Sequence, residues 1–317
     1  MGDGTEKNPF TREDVLEAIE KNGGTARGLD LSGKKFEPRI NLGKLDLKKI
    51  IIRDATLYGA HLEGAILEDA HLEGAYLADA YLEGANLWRA HLEGAKLLGT
   101  HLEGANLSGA HLEGTYLFDA KFSPDTNLED ADWGNYILGW EKKGHFGIAE
   151  GVYRRLKRWY TDAGMYDIAG EFFFREMTAR RKNYWWPGSK SKSFKELLHP
   201  FKPKELSRAI FPRKPFHWAW SKLLSVLCGY GERPIRVVIS VFVVVLVLAA
   251  AYYLWGSFSS SSFWDTLYYS AVSFTALGYG WAPQPTGWAK GVGAAEAFVG
   301  VFMMALFLIT FIRKMTR

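Results

Sequence analysis

The chain has 317 residues, of which 48% are hydrophobic and 23% charged, and its formal net charge is +4. This composition excludes an acidic disordered chain, a collagen and a disulfide-rich scaffold. The single cysteine, Cys228, offers no partner for an intrachain disulfide and no thiolate cluster for zinc or an iron–sulfur centre.

The first segment, residues 1–39, is polar at its start and is assigned to an N-terminal cap. From Leu47 to Phe122, a large apolar residue recurs every five residues, with Ala or Thr two positions before most of them. A period of five suits neither an α-helix nor a β-strand. It suits a square coil with one pentapeptide on each side, in which stacked coils bury the apolar residues in a continuous column. The pattern resembles the pentapeptide-repeat family, which implies a right-handed quadrilateral β-helix over residues 40–133.

A second period of ten residues is superimposed on the first. The block His/Tyr-Leu-Glu-Gly recurs from 61–64 to 111–114, which is half of a four-sided coil. We therefore expect two glutamate ladders on opposite sides, formed by Glu63, Glu83 and Glu103 and by Glu73, Glu93 and Glu113. The register breaks near Ser123-Pro124-Asp125 and resumes at Leu128 and Trp133.

Residues 51–120 carry three basic and eleven acidic side chains, so the repeat segment is acidic. This surface either keeps the coil soluble or docks a basic partner, and some pentapeptide-repeat proteins mimic DNA. The ladder His71, His91 and His111 is a weak candidate for a metal site. Without paired ligands in each rung we expect no structural metal.

Residues 134–230 are predicted to form a basic helical connector. Apolar residues take helical spacing over residues 147–182, with Gly164 between two helices. From 184 to 236 there are eleven Lys or Arg and three Asp or Glu, interleaved with tryptophan. Such a segment suits nucleic acid or an anionic membrane surface. The apolar segments that follow favour the membrane, so we expect no nucleic acid and an interfacial helix near 215–228.

Residues 231–317 contain two apolar stretches, 235–255 and 289–312, each long enough to cross a hydrocarbon layer of about 30 Å as a helix. Basic residues cluster before the first and after the second. The positive-inside rule then predicts that both termini lie in the cytoplasm. We expect a multi-pass protein of the plasma membrane.

The segment between these stretches is not a simple polar loop. An amphipathic stretch, residues 263–275, leads into Thr275-Ala276-Leu277-Gly278-Tyr279-Gly280. Non-helical backbone at membrane depth is tolerated where it is buried in protein or lines a watery cavity. The arrangement resembles the pore domain of two-transmembrane potassium channels. The resemblance implies an all-α pore domain with a re-entrant pore helix, a filter over 275–280, a homotetramer in the lipid membrane, and K⁺ ions in place of a cofactor.

The same resemblance assigns roles to single residues. Backbone carbonyls of the filter would replace the water of the ion, and Tyr279 would wedge the filter against Trp264, Tyr268 or Tyr269. Asp265 lies in the first turn of the pore helix, where a carboxylate suits the helix dipole. Ala276 stands where the family usually has Thr, and Trp281 where it usually has Asp, so the preference for potassium is the property that these departures affect.

The second apolar stretch supplies further candidates. Glu296 is an intramembrane carboxylate, which we interpret as a hydrogen-bonding support behind the filter or toward Trp281. Gly300 is either a hinge or a position of close helix packing. Three phenylalanines are candidates for an apolar constriction: Phe302, Phe307 and Phe311.

Three functions stay open at this point: a potassium-selective channel, a non-selective cation channel, and a membrane-anchored scaffold whose repeats bind a cytosolic partner or ligand. We expect no enzyme, because the sequence has no Walker loop, nucleophile elbow or Cys/His ligand set. Five residues follow position 312. Regulation is therefore expected to come through the N-terminal part.

Overall fold

The computed structural model describes residues 2–185, 215–255, 262–276 and 287–315. The chain divides into two compact units, Met1–Arg213 and Lys214–Arg317, here called the N-terminal and C-terminal units. The N-terminal unit begins with helix α1, Arg12–Lys21, whose first turn is closed by a capping box between Thr11 and Asp14.

A four-sided coil follows α1. Parallel bridges join residues 20 apart, from Asn41 with His61 to His101 with Lys121, so that one coil consists of four pentapeptides. Each side contributes a single bridged residue, and the described part of this unit contains isolated bridges in place of extended strands. Bridges also join Asp30 to Ile51 and Lys35 to Thr56, so the coil geometry begins within the segment assigned to the cap.

The turns explain the period of five. The fourth residue of each pentapeptide adopts a left-handed conformation, as in Gly64 with φ of 62° and Asp69 with φ of 53°. Glycine takes this conformation at no steric cost, and aspartate is one of the few other residues that tolerates it. The chain therefore turns one corner in every pentapeptide, at its third and fourth residues. The two inward positions of a side, such as Leu87 and Ala90, are completely buried.

The register break is one inserted residue. Beyond Ser123-Pro124-Asp125 the bridges join residues 21 apart, as in Asn106 with Asn127 and His111 with Asp132. The insertion is held by Thr126, whose hydroxyl donates to the carbonyl of Leu102 at 2.8 Å. The column of apolar residues continues past it to Leu128 and Trp133.

Three helices close the last coil: α2, Gly139–Lys142, α3, Phe146–Asp162, and α4, Tyr166–Trp185. They share one hydrophobic core with the coil. The Trp133 indole N–H donates to the Tyr160 hydroxyl at 2.7 Å, and its ring meets Phe172 edge-on at 5.1 Å. The first part of the predicted connector is therefore the lid of the coil.

The C-terminal unit is helical throughout its described residues. Helix α5, Pro215–Cys228, and a 3-10 turn, Gly229–Gly231, precede α6, Pro234–Leu254. Helix α7, Phe263–Thr275, and helix α8, Trp288–Met315, follow. By length and composition, α6 and α8 can each cross a membrane, whereas α7 has only 13 residues. Helix α7 packs against both of them.

Candidate functional site

The start of α7 is fixed by its own cap. The Ser262 hydroxyl accepts a hydrogen bond from the Trp264 backbone N–H at 3.3 Å. In return, the Asp265 carboxylate accepts one from the Ser262 backbone N–H at 3.1 Å. Asp265 was singled out from the sequence for its place in the first turn. Ser262 was missed, although Ser-x-x-Asp before an apolar run is a capping-box signature.

A buried carboxylate joins α7 to the two long helices, α6 and α8. Glu296 of α8 accepts a hydrogen bond from the Tyr252 hydroxyl of α6 at 3.0 Å and one from the Ser270 hydroxyl of α7. The Ser270 hydroxyl also lies 3.1 Å from the Val245 carbonyl oxygen of α6. A carboxylate in an apolar environment needs such partners, because an unpaired one is strongly disfavoured. The sequence indicated Glu296 but not Tyr252 or Ser270.

Aromatic rings pack beside this carboxylate. The Tyr252 ring meets Tyr269 of α7 edge-on at 5.2 Å and stacks on Trp288 of α8 at 5.9 Å. Tyr252, Tyr269 and Ala289 are fully buried together. The hydrogen bonds and the rings therefore fix how α7 is oriented between the two long helices.

The end of α7 lies directly against α8. A Cβ atom at Gly300 would collide with the Phe274 carbonyl oxygen, so only glycine allows this approach of the two backbones. This contact supports the interpretation of Gly300 as a position of close helix packing. A hinge at Gly300 remains a prediction. The Thr275 hydroxyl donates back to the Ala271 carbonyl at 2.8 Å, and Ala276 ends the helix in a left-handed conformation with φ of 55°.

The remaining filter residues, Leu277 to Gly280, and Trp281 lie outside the described residues. Their predicted carbonyl lining, and the predicted contact of Tyr279 with the aromatic residues of α7, are therefore not described either. Of those aromatic residues, Trp264 is exposed, Tyr268 half-buried and Tyr269 buried.

Residues 240–317 match a family described as ion channel, and residues 51–89 and 89–123 match pentapeptide repeats, in eight copies. The chain combines pentapeptide repeats with an ion-channel domain. Together with the two apolar helices, this makes it a membrane protein. Neither family is a family of enzymes. No curated protein matches the chain.

Several solved pentapeptide-repeat proteins are similar to parts of this chain. One from the thylakoid lumen of Arabidopsis thaliana is 40% identical, with 31% of this chain and 63% of that chain covered and a TM-score of 0.21. HetL from Nostoc, involved in heterocyst differentiation regulation, is 26% identical, with coverages of 37% and 56% and a TM-score of 0.24. Rfr23 from Cyanothece is 26% identical, with coverages of 38% and 99% and a TM-score of 0.20. The chain thus spans less than two thirds of the first two proteins.

Within the ion-channel domain, the three phenylalanines of α8 that are candidates for a constriction differ in environment. Phe302 and Phe311 are exposed in the single chain, and Phe307 packs partly against the helices. The rings of Phe307 and Phe311 stack at 5.7 Å. These two are thus neighbours on α8, and their role as a constriction remains a prediction.

The C-terminal unit contains a second Gly-Tyr-Gly, residues 229–231, which the sequence identified as a turn. The structure places it between α5 and α6, with φ of 59° at Tyr230. The Tyr230 hydroxyl lies 2.9 Å from the Ser221 hydroxyl of α5. This copy connects two helices, so the Gly-Tyr-Gly tripeptide alone does not define a filter.

Proposed function

We propose that this chain forms a tetrameric, potassium-selective cation channel of the cell membrane. The proposal is supported by α7, a helix too short to cross a membrane that lies between two helices long enough to do so. Helix α7 ends at Thr275 and its C-cap Ala276 directly precedes Leu277-Gly278-Tyr279-Gly280 in the sequence. One chain supplies two spans and one such segment, so a closed ring needs several copies.

The chemistry of the segment suits a dehydrated cation. A ring of backbone carbonyls substitutes for the hydration shell of the ion. Consecutive carbonyls can point toward one axis when alternate residues take positive φ, which Gly278 and Gly280 allow. The C-terminal end of α7 carries the negative end of the helix dipole, which favours a cation nearby.

Two departures from the family pattern tune the proposed filter. Ala276 has no hydroxyl, so a ring of side-chain oxygens is missing at the inner end, while the carbonyls remain. Trp281 provides no carboxylate at the outer end. We expect K⁺ to be preferred over Na⁺ with weaker occupancy of the inner site.

Bi-ionic recording tests the proposal. The purified full chain is reconstituted in planar bilayers with K⁺ on one side and Na⁺ on the other. A reversal potential tens of millivolts from zero, in the direction set by K⁺, is the expected result. A reversal potential near zero identifies a non-selective cation channel. The absence of any current contradicts a channel and favours the anchored scaffold.

A matched pair of variants assigns the current to the proposed filter. Gly278→Ser is expected to abolish the K⁺ preference, because serine adopts positive φ only with strain. Gly231→Ser makes the same change in the other Gly-Tyr-Gly, which connects two helices, and is expected to leave the reversal potential unchanged. Equal effects of the two substitutions would contradict the assignment.

Regulation is proposed to act through α5. The Arg236 guanidinium of α6 donates to the Ser225 carbonyl of α5 at 3.2 Å, which supports a mechanical connection between the two helices. In this proposal, a cytosolic partner or ligand binds the repeats of the N-terminal unit. Its binding changes the position of the first span, α6, through the connection between α5 and α6. Arg236→Gln is expected to change the open probability while leaving the reversal potential unchanged.

A further inference from the structure

The turn between α5 and α6, residues 229–231 and here called the α5–α6 turn, holds one residue in a strained backbone conformation. Gly229, Tyr230 and Gly231 are all left-handed, with φ of 57°, 59° and 89°. Glycine adopts this conformation freely, but it costs an aromatic residue free energy because the Cβ atom crowds the backbone. A residue strained in this way persists only where its surroundings hold it.

The surroundings of Tyr230 supply such a restraint. The residue is buried, with 8% of its surface exposed, and its hydroxyl lies 2.9 Å from the Ser221 hydroxyl of α5. One helical turn further along α5, the Ser225 carbonyl accepts a hydrogen bond from Arg236 of α6 at 3.2 Å. Helix α5 is therefore held at two successive turns, once by the α5–α6 turn and once by the first span.

The end of α5 belongs to an apolar cluster that reaches the proposed pore. The cluster draws one buried residue from each of the four helices of the C-terminal unit: Cys228, Val237, Phe274 and Met303. Phe274 directly precedes Thr275, the first residue of the proposed filter, and Phe307, a candidate for the constriction, packs against the same cluster. A movement of α5 away from the cluster therefore changes the packing beside both.

We propose that the α5–α6 turn is a two-state switch and that Tyr230 is the positioning residue that holds it. In the packed state, which the structure shows, the Tyr230 hydroxyl pairs with Ser221 and the end of α5 covers the cluster. In the released state, Tyr230 leaves the left-handed region, the pair separates and α5 moves off the cluster. Relief of the backbone strain lowers the cost of release. Only the effect of the switch on the current rests on the proposed channel function.

Cys228 provides the readout, because it is the only cysteine of the chain and is 2% exposed in the packed state. The full chain in lipid nanodiscs is mixed with a water-soluble maleimide, and the labelling rate of the thiol measures release. Tyr230→Phe and Ser221→Ala each remove the hydroxyl pair and keep the aromatic ring. Each is expected to raise the labelling rate about three- to tenfold, as the loss of one hydrogen bond implies. The double variant is expected to match the single variants, because both remove the same interaction.

Tyr253→Phe is the matched control, since it removes the same atom from a half-exposed tyrosine at the other end of α6. It is expected to leave the labelling rate unchanged. An unchanged rate in Tyr230→Phe and Ser221→Ala, or an equal increase in Tyr253→Phe, would overturn the switch. A steep dependence of the rate on urea would also overturn it, because the thiol would then be exposed by global unfolding and not by a local movement.

Recording in planar bilayers tests whether the switch acts on the pore. Tyr230→Phe and Ser221→Ala are expected to change the open probability at least threefold and to leave the reversal potential unchanged. Faster labelling with an unchanged open probability would overturn the connection between the α5–α6 turn and the pore. Absence of current in the original protein would contradict the proposed channel, whereas the labelling rates would still decide whether Tyr230 holds a switch.

Discussion

At the scale of single residues, Gly300 sets how closely α8 approaches the end of α7. The atom that a Cβ would meet is the Phe274 backbone oxygen, which cannot rotate away as a side chain would. Gly300→Ala is expected to lower the free energy of unfolding by roughly 1–3 kcal/mol. The added methyl group should also push the end of α7, which precedes the proposed filter, away from α8. We expect this displacement to reduce the K⁺ preference. Thermal unfolding in detergent and bi-ionic recording measure the two effects.

Gly291 provides the control on the same helix, because a Cβ there would meet nothing within 4 Å. Gly291→Ala is expected to be neutral or to stabilise the helix by up to about 1 kcal/mol, since alanine is the better helix former. If both alanines destabilise equally, the close contact at Gly300 is not the cause.

Replacement of Glu296 is expected to weaken the packing of α6, α7 and α8 against one another. Glu296→Leu removes the hydrogen bond between the buried Tyr252 hydroxyl and the carboxylate, which is expected to cost about 1–3 kcal/mol. Ser270 keeps the Val245 carbonyl as an alternative acceptor. A double-mutant cycle with Tyr252→Phe is expected to show coupling of at least about 0.5 kcal/mol. Additive effects in thermal unfolding would contradict the hydrogen bond.

At the scale of elements, α3 and α4 are joined through a buried carboxylate. Glu176 of α4 accepts hydrogen bonds from Lys157 at 2.8 Å and from Arg154 at 3.0 Å, both on α3. Burial alone would raise the pKa of Glu176, but these hydrogen bonds outweigh it and hold the pKa below the ordinary value of 4.5. The ionised form is therefore favoured by folding.

The sign of the pH dependence follows from that lowered pKa. The stabilisation by Glu176 is complete above the unfolded-state value of 4.5 and is lost as the pH falls through the lower folded-state value. Glu176→Gln is expected to lower the free energy of unfolding at pH 7 by about 2 kcal/mol. The variant should lose stability less steeply than the original protein below about pH 5. Parallel pH profiles from urea unfolding would contradict this role.

The sequence predicted the long elements better than the contacts between them. Apolar spacing and length were enough for α6, α7 and α8, because burial in lipid or against neighbours follows from composition. The partners of Glu296 could not be predicted in this way. Tyr252 lies 44 residues away along the chain, and whether the two meet depends on how each helix is rotated about its axis.

At the scale of the whole molecule, the repeat made the N-terminal unit predictable. One large and one small inward residue in every five determine both the coil and its register, including the break after Phe122. Two features of this unit could not be predicted from the repeat. The coil geometry already at Asp30 lacks the Leu-and-Ala signature, and the pairing of His91 with Glu93 depends on side-chain rotamers that a period does not specify.

The lid of the coil determines where the N-terminal unit can be separated. Tyr153, Tyr160 and Phe172 of α3 and α4 are fully buried in the same core as Trp133. A fragment of residues 1–185 keeps this core, whereas a fragment of residues 1–140 exposes the end of the column. Each buried aromatic contributes about 1.5–3 kcal/mol. The longer fragment is therefore expected to unfold cooperatively, with a free energy of unfolding higher by at least about 3 kcal/mol. Urea unfolding monitored by tryptophan fluorescence measures the difference, and equal stability of the two fragments would show that the helices do not belong to the coil.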